Sequence, residues 1–88
     1  MRTEFSSRFY KDLDKITQAT VKNGIVAIIK QVKEAEQLSE IGNIKKLKGH
    51  SIAYRIRMGD YRIGIFYENE TIEFIRIAHR KDIYNIFP

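Results

Sequence analysis

The chain has 88 residues, a length typical of one small domain, and we expect residues 1–88 to fold as a single unit. It contains no cysteine, which excludes disulfide bonds, thiolate catalysis and cysteine-type zinc sites. The two histidines, His50 and His79, have no accompanying carboxylate motif, so we expect neither a metal site nor a cofactor. The start of the chain is charged, and no apolar run approaches the ~20 residues of a membrane span. We therefore expect a cytoplasmic protein with no membrane segment.

The net charge of +5 is distributed unevenly along the chain. Residues 41–67 contain a single acid, Asp60, against six basic residues: Lys45, Lys46, Lys48, Arg55, Arg57 and Arg62. A local basic field of this kind favours nucleic acid, or an acidic protein segment, as the partner. A solvated charged surface is the simpler alternative.

The first half of the chain predicts one strand and two helices. Residues 1–5 have a weak strand pattern, and Ser6 offers a cap for a short amphipathic helix whose solvent side carries Asp12 and Asp14. A longer helix follows, and its apolar stripe consists of Val21, Ile25, Ile28, Ile29, Val32 and Ala35. The glycine and asparagine at positions 42–43 predict where this second helix ends.

The second half of the chain has the alternating pattern of strands. Residues 44–49 predict a basic connection, after which the apolar period changes from 3.6 to 2. The pair Gly59-Asp60 is typical of a type II′ hairpin turn, and this turn places Arg57 opposite Arg62. Like charges across a hairpin are destabilising, which is easier to understand if a phosphate lies between them.

The following hairpin allows two registers. A two-residue loop would place Arg76 on the apolar face of the sheet. A three-residue loop, residues 68–70, would instead pair Arg62 with Arg76 and place Phe66 and Phe74 on the arginine face. The three-residue loop keeps one face apolar, so it is the predicted register.

The predicted order is therefore β-α-α-β-β-β, with a short C-terminal helix or tail over residues 81–87. This is an α+β fold in which an antiparallel central sheet packs on a helical hairpin. The other face of the sheet carries the arginines.

Five segments taken together resemble a known family: Phe5–Leu13, Lys46–Gly49, Tyr54–Arg57, Tyr61–Ile63 and His79–Tyr84. In this order and spacing the chain resembles the RelE/ParE superfamily of bacterial toxins from type II toxin–antitoxin modules, over nearly its whole length. The resemblance implies a RelE-like fold. It also implies a ribosome-dependent endoribonuclease that cleaves translated mRNA by attack of a 2′-hydroxyl group and thereby inhibits translation.

The resemblance further implies a catalytic set made of Arg55, Arg57, Arg62, Arg80 and Tyr84. Arg62 matches the family's phosphate-binding arginine, Arg80 its second catalytic arginine and Tyr84 its terminal tyrosine. Arg55 and Arg57 stand where the family has lysines, and arginine is the poorer proton acceptor. We therefore expect slow or no cleavage of RNA away from the ribosome.

Further basic residues are expected to contact RNA: Lys45, Lys46, Lys48, Arg76 and Lys81. His79 is a possible acid or base, since its ordinary pKa suits proton transfer. Strand alternation, however, points His79 away from the face that carries the arginines.

Two other functions remain open at this point. A ParE-like toxin has the same fold and poisons DNA gyrase without nuclease activity, and a non-catalytic RNA-binding protein or inactive toxin relic is the third reading. In either toxin reading the expected partner is a cognate antitoxin, acidic and partly disordered when free. The nuclease reading adds the ribosome and mRNA as partners.

Overall fold

The computed structural model describes residues 1–88, and its five strands form one mixed sheet. The strands are β1 (Arg2–Phe5), β2 (Ile44–Lys46), β3 (Ala53–Met58), β4 (Tyr61–Glu68) and β5 (Thr71–His79). The helices are α1 (Ser7–Asp14), α2 (Ala19–Glu34) and α3 (Ile83–Ile86), with a 3₁₀ turn at Leu38–Glu40. The sheet order is β1-β5-β4-β3-β2, in which only the edge pair β1/β5 is parallel. The predicted α+β fold with an antiparallel central sheet is confirmed.

Two boundaries differ from the predictions in the middle of the chain. The longer helix ends at Glu34 and not at residues 42–43, because the chain turns away to bury Ala35 and Ile41 in the core. The predicted basic connection begins as strand β2, in which Ile44 pairs with Ile56. This edge strand has only three residues, and an alternating pattern of that length is too short to be recognised in the sequence.

The main core lies between the helical hairpin and one face of the sheet. Its twelve buried side chains are Phe9, Ile16, Ile25, Val32, Ala35, Ile41, Ile56, Ile63, Ile65, Ile72, Phe74 and Ile77. They come from α1, from α2, from the segments that follow these helices and from the three inner strands, which fixes the predicted helical hairpin on the sheet. None of the helices combines the length and the apolar character needed to cross a membrane.

The β3–β4 hairpin has the predicted register. Met58 pairs with Tyr61 and Arg57 with Arg62, which leaves the pair Gly59-Asp60 as the loop. Gly59 has φ +58°, the left-handed value that the first loop residue of a type II′ turn requires. The local turn signal was therefore sufficient to place the two arginines opposite each other.

The predicted register of the β4–β5 hairpin is wrong. Glu68 pairs with Thr71 across a two-residue loop, and a bulge then shifts the register so that Gly64 pairs with Arg76. The bulge lets Phe74 and Ile77, three residues apart, both enter the main core. Phe74 therefore does not lie on the arginine face.

Asp12 is buried, contrary to its predicted place on the solvent side of α1. Its carboxylate accepts two hydrogen bonds from the Arg76 guanidinium, at 2.8 and 3.1 Å, and a third at 3.0 Å from the backbone N–H of Ile77. Strand β1 ends before this point, so Asp12 satisfies a β5 donor that has no neighbouring strand. The hydrogen bond to Asp12 raises the pKa of Arg76, and the pair joins α1 to the bulged strand.

A second, smaller apolar cluster covers part of the opposite face of the sheet. Its buried members are Ala53, Ile83 and Phe87, and Phe66 and Ile75 pack against them. The C-terminal segment, predicted as a short helix or tail, forms the single helical turn α3 and lies on this face. The face opposite the helices is therefore only partly basic.

The β4–β5 turn contains strain that a single substitution should remove. Asn69 and Glu70 both have positive φ values, 54° and 58°, a backbone conformation in which the Cβ atom is crowded and which asparagine and aspartate tolerate better than glutamate. We expect Glu70→Gly to raise the free energy of unfolding by about 0.5–1 kcal/mol in urea denaturation. Glu70→Ala removes the charge but keeps Cβ, so an equal gain in that variant would contradict the explanation by strain.

Candidate active site

A shallow basic cavity lies on the face of the sheet opposite the helical hairpin. It encloses about 370 Å³ and is lined by Asn43, Ile44, Lys45, Arg55, Arg57, Arg62 and Tyr84. The sheet register produces this grouping, because Lys45 pairs with Arg55 and Arg57 with Arg62 across neighbouring strands. Four cationic side chains thus line one concavity without a carboxylate among them.

The cations of the cavity are uncompensated by ion pairs. The two salt bridges of the structure join Arg76 to Asp12 and Arg80 to Asp60, both outside the cavity. Four positive charges at this spacing repel one another, and a polyanion relieves that repulsion. The cavity therefore suits a ligand that brings several negative charges.

Neutral oxygen atoms hold two of the arginines in place. Arg62 donates from Nη1 to the carbonyls of Gly59 and Tyr61, at 2.8 and 2.9 Å, so the hairpin turn fixes its guanidinium. Arg57 donates from Nη2 to Oδ1 of Asn43 at 3.4 Å. Each guanidinium retains further N–H donors, and a fork of such donors matches the oxygen atoms of a phosphate.

Asn43 is a site residue that the sequence interpretation missed. Its φ of 59° is left-handed, and its carbonyl also accepts a hydrogen bond from the backbone N–H of Arg57 at 3.1 Å. The Gly42-Asn43 pair was a signal in the sequence, but it predicted only a helix end. Asparagine tolerates this backbone conformation, which explains why it occupies the position.

Tyr84 lies on α3 above the cavity and is 72% exposed. The guanidinium carbon of Arg55 is 4.5 Å from the centre of its ring, a cation–π contact. The pKa of the Tyr84 hydroxyl is lowered, first by the N–H groups of Arg55, next by the charge of Arg55, and further by Arg62 and Lys45. The arrangement favours the phenolate more than water does.

Removing Arg55 should therefore raise the pKa of Tyr84. We expect Arg55→Met to move that pKa back toward the ordinary tyrosine value of about 10, as measured by NMR titration of ¹³C-labelled tyrosine. Arg57→Met removes the same charge from a neighbouring position that does not act on Tyr84. An equal rise in both variants would mean that the general field of the cavity, and not the contact with Arg55, sets the pKa.

Arg80 lies at the end of the sheet beside the β3–β4 turn and does not line the cavity. Its backbone N–H donates to the carbonyl of Asp60 at 2.7 Å. Its side chain is 3.9 Å from the Asp60 carboxylate, and both side chains are largely exposed. No buried contact holds the Arg80 side chain, so it is free to turn toward a ligand that extends from the cavity to this turn.

His79 lies on the helix side of the sheet, as strand alternation predicted. It pairs with Tyr61, and the two ring centres are 5.9 Å apart. Its Nδ1 accepts a hydrogen bond from the backbone N–H of Lys81 at 3.2 Å. Together with Val21 and Met58, His79 lines a separate cavity, away from Tyr84.

The lysines and Arg76 are placed differently from one another. Lys45 lines the basic cavity, whereas Lys46 and Lys48 are exposed and line a separate concavity, and Lys81 is exposed just after β5. Arg76 is committed to Asp12, and its side chain is only 16% exposed. The structure therefore gives Arg76 a packing role that its position in the alternating pattern did not indicate.

Comparisons with known proteins agree with this architecture. Residues 3–84 match the family model described as the ParE toxin of type II toxin–antitoxin systems. Toxin RelE3 of Methanocaldococcus jannaschii is 42% identical over 89 residues, covering all of both chains. The crystal structure of a RelB–RelE antitoxin–toxin complex from Methanococcus jannaschii has a TM-score of 0.83 and 40% identity, covering 97% of this chain and 99% of that chain.

A more distant match extends the likeness of the fold. The crystal structure of the intact E. coli RelBE toxin–antitoxin complex has a TM-score of 0.69 at 21% identity, over 89% of this chain and 94% of that chain. The resemblance inferred from the five sequence segments is confirmed. With a family model matching nearly its whole length and a named toxin at 42% identity, this chain belongs to the RelE/ParE superfamily of toxins of type II toxin–antitoxin systems.

Proposed function

We propose that this toxin is a ribosome-dependent endoribonuclease that cleaves translated mRNA. The observation that carries the proposal is the basic cavity, in which Arg55, Arg57 and Arg62 lie beside Tyr84 without an acidic counterion. Arginine forks match the oxygen atoms of a phosphate bidentately, and tyrosine adds a group for base stacking or proton transfer. We expect the protein to act in the cytoplasm, where translating ribosomes are found.

RNA supplies its own nucleophile in this reaction. The 2′-oxygen attacks the adjacent phosphorus, the bond to the 5′-oxygen breaks, and one proton leaves the nucleophile while another reaches the leaving oxygen. Arg57 and Arg62, opposite each other on β3 and β4, hold the phosphoryl oxygens and stabilise the charge that develops there. The exposed Arg80 stabilises the leaving oxygen.

Tyr84 is the group that we assign to the 2′-hydroxyl. The pKa of its hydroxyl is lowered, first by Arg55, so the phenolate, the form that can accept a proton, is favoured relative to an ordinary tyrosine. The arginines of the cavity are poor bases, which leaves Tyr84 and Lys45 as the side chains there that can accept a proton, and we assign the role to Tyr84 because of its contact with Arg55. With one weak base, the site depends on the ribosome to align the RNA, which is why we expect little cleavage of free RNA.

A ParE-like function is the second candidate, because the matching family model carries the ParE name. A gyrase poison acts by protein–protein contact and does not need uncompensated arginines beside a tyrosine. The basic cavity favours the nuclease, since four neighbouring cations without counterions destabilise a fold that has no anion to bind.

Induced expression in bacteria with primer-extension mapping of mRNA ends tests the proposal. We expect new ends inside the coding region of a reporter message, and none in the same message when its start codon is removed. Growth arrest with intact mRNA and broken DNA would overturn the nuclease and favour gyrase. Absence of growth arrest would indicate a binding protein or an inactive toxin.

We also propose a cognate antitoxin as the protein partner of this chain. The Methanococcus jannaschii structure contains RelB with RelE, and the present chain offers an uncompensated basic cavity with an exposed tyrosine above it. An acidic segment, disordered until bound, would neutralise these charges and block access to Tyr84 at once.

A further inference from the structure

The C-terminal helix α3 has no stability of its own. It is a single turn of four residues, and isolated helices of that length do not form in water. Two apolar residues one turn apart, Ile83 and Phe87, are 0% and 4% exposed and attach the segment to the sheet. Tyr84 lies between them but faces solvent, so its position is set by these attachments and by its contact with Arg55.

Gly64 is the part of the sheet on which the Phe87 ring rests. A Cβ atom at position 64 would lie 2.5 Å from Cγ of Phe87 and within 2.7 Å of two further ring atoms. Glycine weakens a strand interior, and Gly64 is buried in the middle of the central strand β4. The close approach of the aromatic ring accounts for a glycine at this position.

We propose that Gly64 and Phe87 are positioning residues that set Tyr84 against Arg55. Gly64 also pairs with Arg55 across the β3–β4 hairpin. The backbone that contacts the Phe87 ring therefore lies beside the arginine that contacts Tyr84. The packing of Phe87 on Gly64 thereby fixes the distance between Tyr84 and the phosphate-binding arginines. This inference rests on the proposed nuclease function and deepens it.

The geometry sets the size of the effect. Carbon atoms in van der Waals contact are about 3.5–4.0 Å apart, so a methyl group at position 64 displaces the Phe87 ring by about 1 Å or more. Phe87 directly follows α3 and its backbone N–H donates to the carbonyl of Ile83 at 3.0 Å, so we expect a displacement of the ring to shift Tyr84 as well. Misplacement of a reacting group by about 1 Å lowers reaction rates by up to about 100-fold.

Three variants and one control test the positioning role. Gly64→Ala moves the ring, Phe87→Ala removes it, and Gly64→Ala/Phe87→Leu makes room for the new methyl group with a smaller apolar side chain. Val32→Ala is the control, because Val32 is fully buried in the main core on the other side of the sheet. It reduces stability without touching the C-terminal segment.

Two measurements are made on each folded variant. NMR of ¹³C-labelled tyrosine, with the Tyr84 signal assigned from Tyr84→Phe, reports the Tyr84 environment and its pKa. Cleavage of a translated message on purified ribosomes, at varied ribosome concentration, separates kcat from KM.

We expect Gly64→Ala and Phe87→Ala to shift the Tyr84 signal and to raise its pKa toward about 10. We expect both to lower kcat about 10-fold or more with KM within about twofold. The double variant should recover much of the wild-type signal, and Val32→Ala should retain it.

An unchanged Tyr84 signal in Phe87→Ala would overturn the inference, even if Gly64→Ala does not fold. An equal shift in Val32→Ala would do the same, because it would reveal a general loss of stability. If the wild-type protein does not cleave mRNA, the proposed function fails, while the NMR comparison still decides whether Gly64 and Phe87 position Tyr84.

Discussion

Replacing Arg62 with alanine is expected to lower kcat for cleavage of mRNA on the ribosome by roughly 10²–10³-fold, the usual effect of removing one preorganised donor from a site that stabilises developing charge. Arg62 is the best fixed of the cavity arginines, since two turn carbonyls accept hydrogen bonds from its Nη1 at 2.8 and 2.9 Å. Because the turn already holds the guanidinium, little reorganisation is needed when the phosphate reaches its transition state. The measurement is a single-turnover assay on purified ribosomes with a translated message.

Stability should change little in Arg62→Ala, and this separates catalysis from folding. The variant removes the repulsion between Arg62 and Arg57, and this gain offsets the loss of two hydrogen bonds, one exposed and one partly buried. Arg8→Ala is the matched control, because Arg8 is an exposed arginine on α1 and its loss changes the net charge equally. Arg62→Lys keeps the charge but loses the fork of donors, and we expect it to remain well below wild type.

The outcome that contradicts the role of Arg62 is a rate within about threefold of wild type in Arg62→Ala on the ribosome. A loss of the same size in Arg8→Ala would also contradict it, because the effect would then follow the net charge. Either result would move the phosphate-binding role away from the β3–β4 hairpin.

The parts of the fold that the sequence predicted correctly depend on local signals. Gly59-Asp60 specifies its own turn, and that turn fixes the register that places Arg57 opposite Arg62. Ser6 caps α1 by accepting a hydrogen bond from the N–H of Phe9, again a contact within one turn. The centre of the candidate site was therefore predictable from residues close together in the chain.

The parts that were predicted wrongly depend on residues distant in the chain. The β4–β5 bulge is stabilised from α1, where the Ser6 hydroxyl donates to the carbonyl of Ile75 and Asp12 accepts from the N–H of Ile77. Strand alternation alone cannot indicate a bulge, because one extra residue within a mostly apolar segment does not change the sequence pattern recognisably. Arg76 was for this reason assigned to RNA binding, and we leave it out of the proposed site.

The contact of Tyr84 with Arg55 could not be predicted from the sequence either. The contact depends on the packing of the Phe87 ring on Gly64. These two residues are 23 positions apart in the chain, and no sequence motif connects them. A glycine opposite Arg55 in the hairpin leaves space beside that arginine. The space exists, but a side chain of the same chain fills it.

The largest effect on stability is expected from Asp12. We expect Asp12→Ala to lower the free energy of unfolding by about 2–4 kcal/mol in urea denaturation, slightly less than for a fully buried pair because Arg76 remains 16% exposed. Two costs contribute to this loss of stability: the mostly buried Arg76 guanidinium loses its partner, and the N–H of Ile77 loses its acceptor. Asp14→Ala is the matched control, since Asp14 is exposed on the same helix and should change stability by no more than about 0.5 kcal/mol.

Two further variants divide this loss between its parts. Asp12→Asn removes the negative charge but keeps an oxygen that accepts from Ile77, and Arg76→Met removes the cation but keeps its packing length. If the link between α1 and the bulged strand is the main contribution, Asp12→Asn and Arg76→Met should each lose less than Asp12→Ala. If Arg76→Met instead retains full stability but loses cleavage on the ribosome, Arg76 binds RNA and its pairing with Asp12 is incidental. Because Arg76 is already paired within the fold, we expect Arg76→Met to change stability more than cleavage.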